Sequence, residues 1–223
     1  MAKNPTKKQL DALLVAYTDR SDQFDLFRQQ VLAFFTSSRQ FHGSPLPLVH
    51  SVKSRLKNQD HLREKLVRKY RESPITIDTL FTRITDFAGV RVLHLHSYQF
   101  SQIHWAIKKH IDDGYWTLAE PPVAYSWDPE ATASLMSLGI RAEIKESYYT
   151  SIHYIVKPHA ESDLTCEIQV RTLFEEAWGE IDHAINYPTP TTNVPCREQL
   201  RVLAKLASTG TRLADSIFKS LEP

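Results

Sequence analysis

Apolar residues recur at Leu10, Leu13, Leu14 and Tyr17 and again at Phe24, Phe27, Val31, Phe34 and Phe35, the spacing of helices that bury one face. Two helices, or one bent helix, are expected there. A Ser-Pro-Leu-Pro break at residues 44–47 closes the region, because proline removes a backbone donor and restricts the residue before it. Asp60 is placed to cap a helix carrying Leu62, Leu66 and Tyr70. Farther on, Val90, Val92 and His94 alternate with Arg91, Leu93 and Leu95, the period of a strand. Ser97 then caps a helix through Phe100, Ile103, Ile107 and Ile111, closed by Gly114.

The stretch from Glu120 to Gly139 mixes turn formers with one short helical pattern and reads as a long loop or insert. Residues 152–156 and 166–170 read as strands joined by a polar turn at 158–163. Leu173–Tyr187 reads as a helix, and Pro195–Leu221 as another with Leu200, Leu203, Leu206, Leu213 and Ile217 on its buried side. Helices and strands are interspersed, so the expected fold class is α+β, a mixed sheet of about four to five strands flanked by helices, with helical extensions at both ends.

At 223 residues and 42% hydrophobic composition, the chain can bury a sizeable core without disulfides. Cys166 and Cys196 lack the CxxC spacing of a redox motif or zinc ribbon. No apolar run reaches the length of a membrane span and the N-terminus is too polar for a signal-peptide core, so a cytoplasmic location is expected. With 27 Lys+Arg against 26 Asp+Glu and a net charge of +1, no global field marks a non-specific nucleic-acid binder. An anionic ligand would have to be held by local clustering.

Six glycines form neither GxGxxG nor GxxxxGK[ST], so phosphates would be held by side chains rather than by a backbone cradle. Arg55, Lys57 and Lys65 could do this, or could equally be a solvated surface. Asp86 precedes Gly89 and Arg91 at the mouth of a strand; it could be a turn residue or one of the carboxylates that Mg²⁺ takes beside phosphate oxygens and water. Period-2 geometry sets Glu167, Gln169 and Arg171 on one strand face and Ile168 and Val170 on the other. Lys145, Tyr148, Tyr149, Ser151 and His153 gather groups suited to a base, a ribose or a phosphate, although each could also serve the core.

In order, these segments resemble the synthetase domain of the RelA/SpoT family, which includes small alarmone synthetases and related toxins. The resemblance runs from about Ser54 to Tyr187 and rests on Arg55-x-Lys57 with Lys65, Asp86-x-x-Gly89-x-Arg91, the loop Lys145 to His153, Glu167-x-Gln169-x-Arg171-Thr172, and Ala177-Trp178-x-Glu180-x-x-His183. His61 stands where the family has serine, and Tyr148 where it usually has glycine.

The resemblance implies a nucleotidyltransferase-like fold and three regions: a helical segment at 1–48, a synthetase domain at 49–190 and a C-terminal helix at 191–223. It also implies a pyrophosphokinase that moves a pyrophosphoryl group from ATP to the 3′-hydroxyl of GDP or GTP. Arg55 and Arg91 would sandwich adenine, and Lys57 and Lys65 would hold phosphates. Asp86 and Glu167 would be the catalytic pair and ligate Mg²⁺, with Glu167 also able to take the proton from the attacking hydroxyl. Lys145, Tyr149, Ser151, His153, Gln169 and Arg171 would serve the acceptor.

The alternatives are a toxin that modifies the 3′ end of tRNA and a non-catalytic nucleotide-sensing module. The acceptor and the oligomeric state stay open, a homo-oligomer included. Tyr148 should change the shape of the acceptor loop, because a side chain there opposes positive φ.

Overall fold

A computed structural model describes residues 4–43, 46–187 and 189–221. Ser44 and Pro45, part of the expected proline break, lie outside the described residues. Helices α1 (Lys7–Thr18) and α2 (Ser21–Ser37) are separate. A capping box closes the start of α1: the Thr6 hydroxyl accepts from Gln9 N, and the Gln9 side chain accepts from Thr6 N.

Strand β1 (Ser51–Leu56) leads to α3 (Gln59–Glu72) and α4 (Ile77–Arg83). Asn58, not Asp60, caps α3, accepting from the backbone of Asp60 and His61. Asp60 lies one position inside the helix, where its charge faces the positive end of the dipole.

Strand β2 (Ala88–His94) precedes α5 (Tyr98–Asp112). Ser97 occupies the cap position of α5 but makes no capping bond; the Gln99 side chain instead accepts from the backbone of Leu95 and His96. At the far end, Gly114 adopts φ 81° and the Tyr115 and Gly114 N–H groups bond back to His110 and Ile111, a Schellman closure.

The expected insert at 120–139 is instead strand β3 (Thr117–Ser126) followed by α6 (Pro129–Ser137). Pro121 and Pro122 suggested a loop, but they fall where the register of β3 against β5 shifts between Glu120 and Val123, and a bulge tolerates residues that cannot donate. Strands β4 (Arg141–Ile144), β5 (Ser151–Lys157) and β6 (Cys166–Thr172) and helices α7 (Leu173–Asn186) and α8 (Val194–Lys219) complete the order.

The six strands form one mixed sheet in the order β1-β2-β6-β5-β3-β4, in which β2 and β6 are parallel, as are β3 and β4, and the other neighbours are antiparallel. This is the α+β class expected, with one strand beyond the expected range. On β6, Cys166, Ile168 and Val170 are buried toward the core, while Glu167, Gln169 and Arg171 occupy the other face. The core face packs on α2 and α5 through Phe24, Phe35, Ile103 and Ile107. Phe87 stacks on Tyr17 at 4.9 Å and tilts against Phe24 at 5.0 Å, tying α1 and α2 to the start of β2.

Helix α7 crosses the polar face and packs against α8, whose Leu200 carbonyl accepts from the buried Trp178 indole at 3.0 Å. Leu200 is buried as expected, whereas Leu206, Leu213 and Ile217 are exposed. The inward stripe of α8 runs instead through Leu200, Ala204 and Thr211, because α8 packs on α7 rather than on the sheet. No helix among the described residues is long and apolar enough to cross a membrane.

Candidate active site

The polar face of β1, β2, β6 and β5 opens into a cleft beneath α7. Cross-strand register aligns it: Arg55 pairs with Gly89, Gly89 with Glu167, Arg91 with Gln169, and Gln169 with His153. Three adjoining cavities of about 320, 500 and 390 Å³ share Arg55 as a lining residue. The first contains Asp86, Arg91, Glu167 and Gln169; the second Lys57, His61, Lys65 and Asp86; the third Arg91, Tyr149, Gln169 and Arg171. A Cβ at Gly89 would meet only the Glu167 carbonyl, at 3.9 Å. Packing therefore does not demand glycine there, and its missing side chain keeps the cavity floor low.

Asp86 is clasped by two lysines, with Lys57 Nζ at 2.7 Å from one carboxylate oxygen and Lys65 Nζ at 2.8 Å from the other. Burial alone would raise its pKa, but the charges of Lys65 and Lys57 outweigh burial and hold Asp86 below the usual carboxylate range.

Glu167 lies in a closed ring of side chains. His153 Nδ1 donates to Glu167 at 2.9 Å, and His153 Nε2 meets the Tyr149 hydroxyl at 3.1 Å. One Arg171 nitrogen donates to Tyr149 at 2.8 Å and to Gln169 at 2.7 Å, and Gln169 donates back to Glu167 at 2.7 Å. With Nδ1 of His153 carrying the proton and Nε2 accepting from Tyr149, both arms of the ring run from Arg171, which donates to each, to Glu167, which accepts from each. Burial pushes the Glu167 pKa up, but the hydrogen bonds from His153 and Gln169 hold it low. Both carboxylates are therefore ionised at neutral pH.

Helix α7 contributes a third set of contacts. Arg91 donates to Glu176 at 2.9 and 3.1 Å and to Glu180 at 2.6 Å, while Lys53 donates to Glu176 at 2.9 Å. Burial lowers the Arg91 pKa, but those carboxylates hold it above the usual value. Gly179 lets α7 approach, since a Cβ there would stand 2.9 Å from Arg171 Nη1. Thr172 and Glu175 form the capping box that starts the helix. At its other end, Tyr187 donates to Glu64 of α3 and stacks on His183 at 4.6 Å, with His61 edge-on at 5.1 Å.

Residues 54–192 match the family described as a region found in RelA/SpoT proteins. The chain belongs to the RelA/SpoT family. GTP pyrophosphokinase YjbM of Bacillus subtilis is 35% identical over 81 residues, 34% of this chain, and the match spans 37% of that relative's length. A GTP pyrophosphokinase family protein from Streptococcus pneumoniae has a TM-score of 0.66 at 20% identity, over 92% of this chain and 93% of that one. Small alarmone synthetase 1 of Bacillus subtilis bound to its product pppGpp gives 0.66 at 20%, over 97% and 100%. At that identity the likeness is one of fold.

Against the RelA/SpoT motifs, the cleft gathers Arg55, Lys57, Lys65, Asp86, Arg91, Tyr149, His153, Glu167, Gln169 and Arg171. It does not gather Lys145. Lys145 Nζ lies 4.2 Å over the Tyr125 ring and 3.5 Å from Glu143, at the margin beyond Tyr125. Ser151 is buried on the face of β5 that carries His153, with its side chain beside Tyr149.

Tyr148 does not steer the loop away from positive φ; it adopts φ 63°, with its ring 5.0 Å from that of Trp127. Sequence reasoning overlooked Lys53, Tyr125 and Glu176. Glu176 could have been found, because Glu176, Glu180, His183 and Tyr187 recur at helical spacing on the face of α7 that carries the site.

Proposed function

We propose that the chain is a magnesium-dependent pyrophosphokinase that transfers the β,γ-pyrophosphoryl group of ATP to the 3′-hydroxyl of GDP or GTP. The observation that carries this reading is a pair of ionised carboxylates, Asp86 and Glu167, lining one cavity with Lys57 and Lys65 on one side and a hydrogen-bonded ring on the other. The names of the relatives favour guanosine nucleotides as acceptors. A pure sensor would have no use for two ionised carboxylates facing one cavity.

Among the described residues no three His, Cys, Asp or Glu side chains cluster as a metal cage. Two carboxylates fit Mg²⁺ all the same, because it takes one or two from protein and completes its shell with phosphate oxygens and water. Asp86 and Glu167 would hold it, and bound there it supplies charge neutralisation for the phosphates.

Phosphoryl transfer depends chiefly on positioning and charge. Lys57 and Lys65 leave Asp86 for the donor phosphates, which frees both oxygens of that carboxylate. Arg55 and Arg91 hold adenine. The carboxylates that hold Arg91 bond in the plane of its guanidinium, so its faces remain free to stack.

Tyr149 supports the acceptor base, and Gln169 and His153 bond near its ribose. Glu167 takes the proton as the 3′-oxygen bonds the β-phosphorus. The bond from that phosphorus to the α–β bridging oxygen breaks, and AMP leaves.

Incubation with γ-labelled ATP and magnesium, and in turn GDP, GTP and deacylated tRNA, tests the reading. The expected result is label on the guanosine nucleotide with AMP formed one for one. Label found only in tRNA would overturn the acceptor, and absence of AMP with every acceptor would overturn the transfer.

A further inference from the structure

Helix α8 carries an apolar stripe on its outer side. Val202, Leu206, Leu213 and Ile217 are 54–61% exposed, and helical spacing sets them on one face, opposite Leu200, Ala204 and Thr211. Phe174 of α7 is also exposed and lies against Gly210 beside the stripe, where a Cβ would come within 2.8 Å of its ring. Apolar side chains scattered singly over a surface need no partner, but a contiguous apolar face marks an interaction site.

The order of the stripe selects a second copy of the chain as that partner. Val202 precedes Leu206, and Leu213 precedes Ile217, by the same four-residue step, with Thr209 and Gly210 at the centre. In either direction it reads as a β-branched residue, Leu, Leu and a β-branched residue. A two-fold interface needs this property, because one surface must fit itself. An antiparallel copy, about an axis through Thr209 and Gly210, sets Leu206 against Leu213 of the partner subunit and Val202 against Ile217 of the partner subunit.

Charges on one flank select the same direction. Glu198, Lys205, Arg212 and Lys219 recur at every seventh residue beside the stripe. In a parallel pair each would face its own copy, like against like. Antiparallel pairing brings Glu198 to the partner's Lys219, and Lys205 to the partner's Arg212, a guanidinium that each chain already holds between its own Asp128 and Glu130. Those three groups together are negative, and the exposed Glu130 is placed to receive Lys205. Among the described residues, Arg201 and Arg212 are the α8 cations with acidic partners in their own chain, which leaves Lys205 and Lys219 for the second copy.

We infer that the chain forms a two-fold dimer by antiparallel packing of α8 on α8. The stripe faces away from α8's buried side, so both clefts stay open in the pair.

Sedimentation of the full chain across the micromolar range tests the interface, and a dimer is the expected result. Leu206→Glu together with Leu213→Glu should weaken association by at least about a hundredfold, because four charges would enter one desolvated contact. Both leucines are exposed in the single chain, so circular dichroism should not change. Glu198→Lys should weaken association by about tenfold through two repulsive pairs, and adding Lys219→Glu should restore it. In a Cys196→Ser background, Leu206→Cys mixed with Leu213→Cys should give a disulfide-linked pair, and neither variant alone should. A wild-type chain that stays monomeric, an assembly unmoved by the two glutamates, or a disulfide joining two Leu206→Cys chains would each overturn the inference.

Discussion

On the β1 side of the cleft Asp86 is held, among the described residues, by Lys57 and Lys65 alone, whereas on the β5 side Glu167 is locked into a ring with His153, Tyr149, Arg171 and Gln169. The lysines are flexible point charges, and a triphosphate can draw them away from the carboxylate at little cost. The ring fixes five side chains in one geometry, and Arg171, 4% exposed at its side chain, cannot leave without stranding a buried charge. On the proposed reading the donor half is therefore built for exchange, and the acceptor half is in place before a nucleotide arrives. The same carboxylate chemistry is put to different use by different neighbours.

Replacing the carboxylates gives the largest effect and tests that division directly. Glu167→Gln and Asp86→Asn should each lower transfer by about 10²–10⁴-fold, the range for loss of a positioned acid or base, with the fold retained by circular dichroism. Raising magnesium should partly restore Asp86→Asn and leave Glu167→Gln unchanged. Equal restoration in both would erase the distinction between an exchangeable ligand and a fixed base.

The arginines sharpen the donor side. Arg55→Ala and Arg91→Ala should weaken ATP by about 1–3 kcal/mol each, the scale of stacking on one base. Calorimetry on Arg55→Lys should recover little of the loss, since an ammonium has no plane to stack. Arg91→Lys should also loosen α7, because Glu176 and Glu180 both take their bonds from one Arg91 nitrogen. Full recovery of ATP binding by lysine at both positions would reduce them to phosphate charges.

On the acceptor side, Tyr149→Phe keeps the ring and removes the hydroxyl that joins His153 to Arg171. The loss should be about 1 kcal/mol for each hydrogen bond, read as a lower melting temperature and a raised acceptor KM with the ATP KM unchanged. A change confined to ATP would show that the ring does not belong to the acceptor half.

The sequence disclosed the alternating face of β6 and the helices α1, α2, α5 and α7, because their patterns are periodic and long. It concealed β1 and β4, which are short edge strands with little apolar content. It also concealed β3, whose Pro121 and Pro122 sit at a register shift. The exposed Leu206, Leu213 and Ile217 show the limit of periodicity: α8 carries two apolar stripes, and only packing on α7 decides which is buried. The candidate residues that meet in the cleft were legible through motif order, but their links were not. The ring joins β5, β6 and the loop before β5, and Arg91 meets Glu176 across 85 positions, a pairing that no local pattern encodes.

Tyr148 gives the smallest expected effect and the finest test of how far the acceptor half is preset. A non-glycine residue at φ 63° carries strain of about 1–2 kcal/mol, and the Trp127 ring 5.0 Å away is the contact that offsets part of it. Tyr148→Gly removes the strain and the contact together, and glycine returns about 0.5–1 kcal/mol through the freedom of the unfolded chain. The net change in stability should be under about 1 kcal/mol. Acceptor binding should respond more than stability, because Tyr149 follows directly and its ring position depends on the backbone held by Tyr148. Trp127→Ala keeps the strained residue and removes its support, so it should lower the melting temperature where Tyr148→Gly does not. If both variants raise the acceptor KM while ATP binding is untouched, the loop is a preset part of the acceptor half; if neither does, Tyr148 only tolerates a turn whose shape is fixed by the strands on either side.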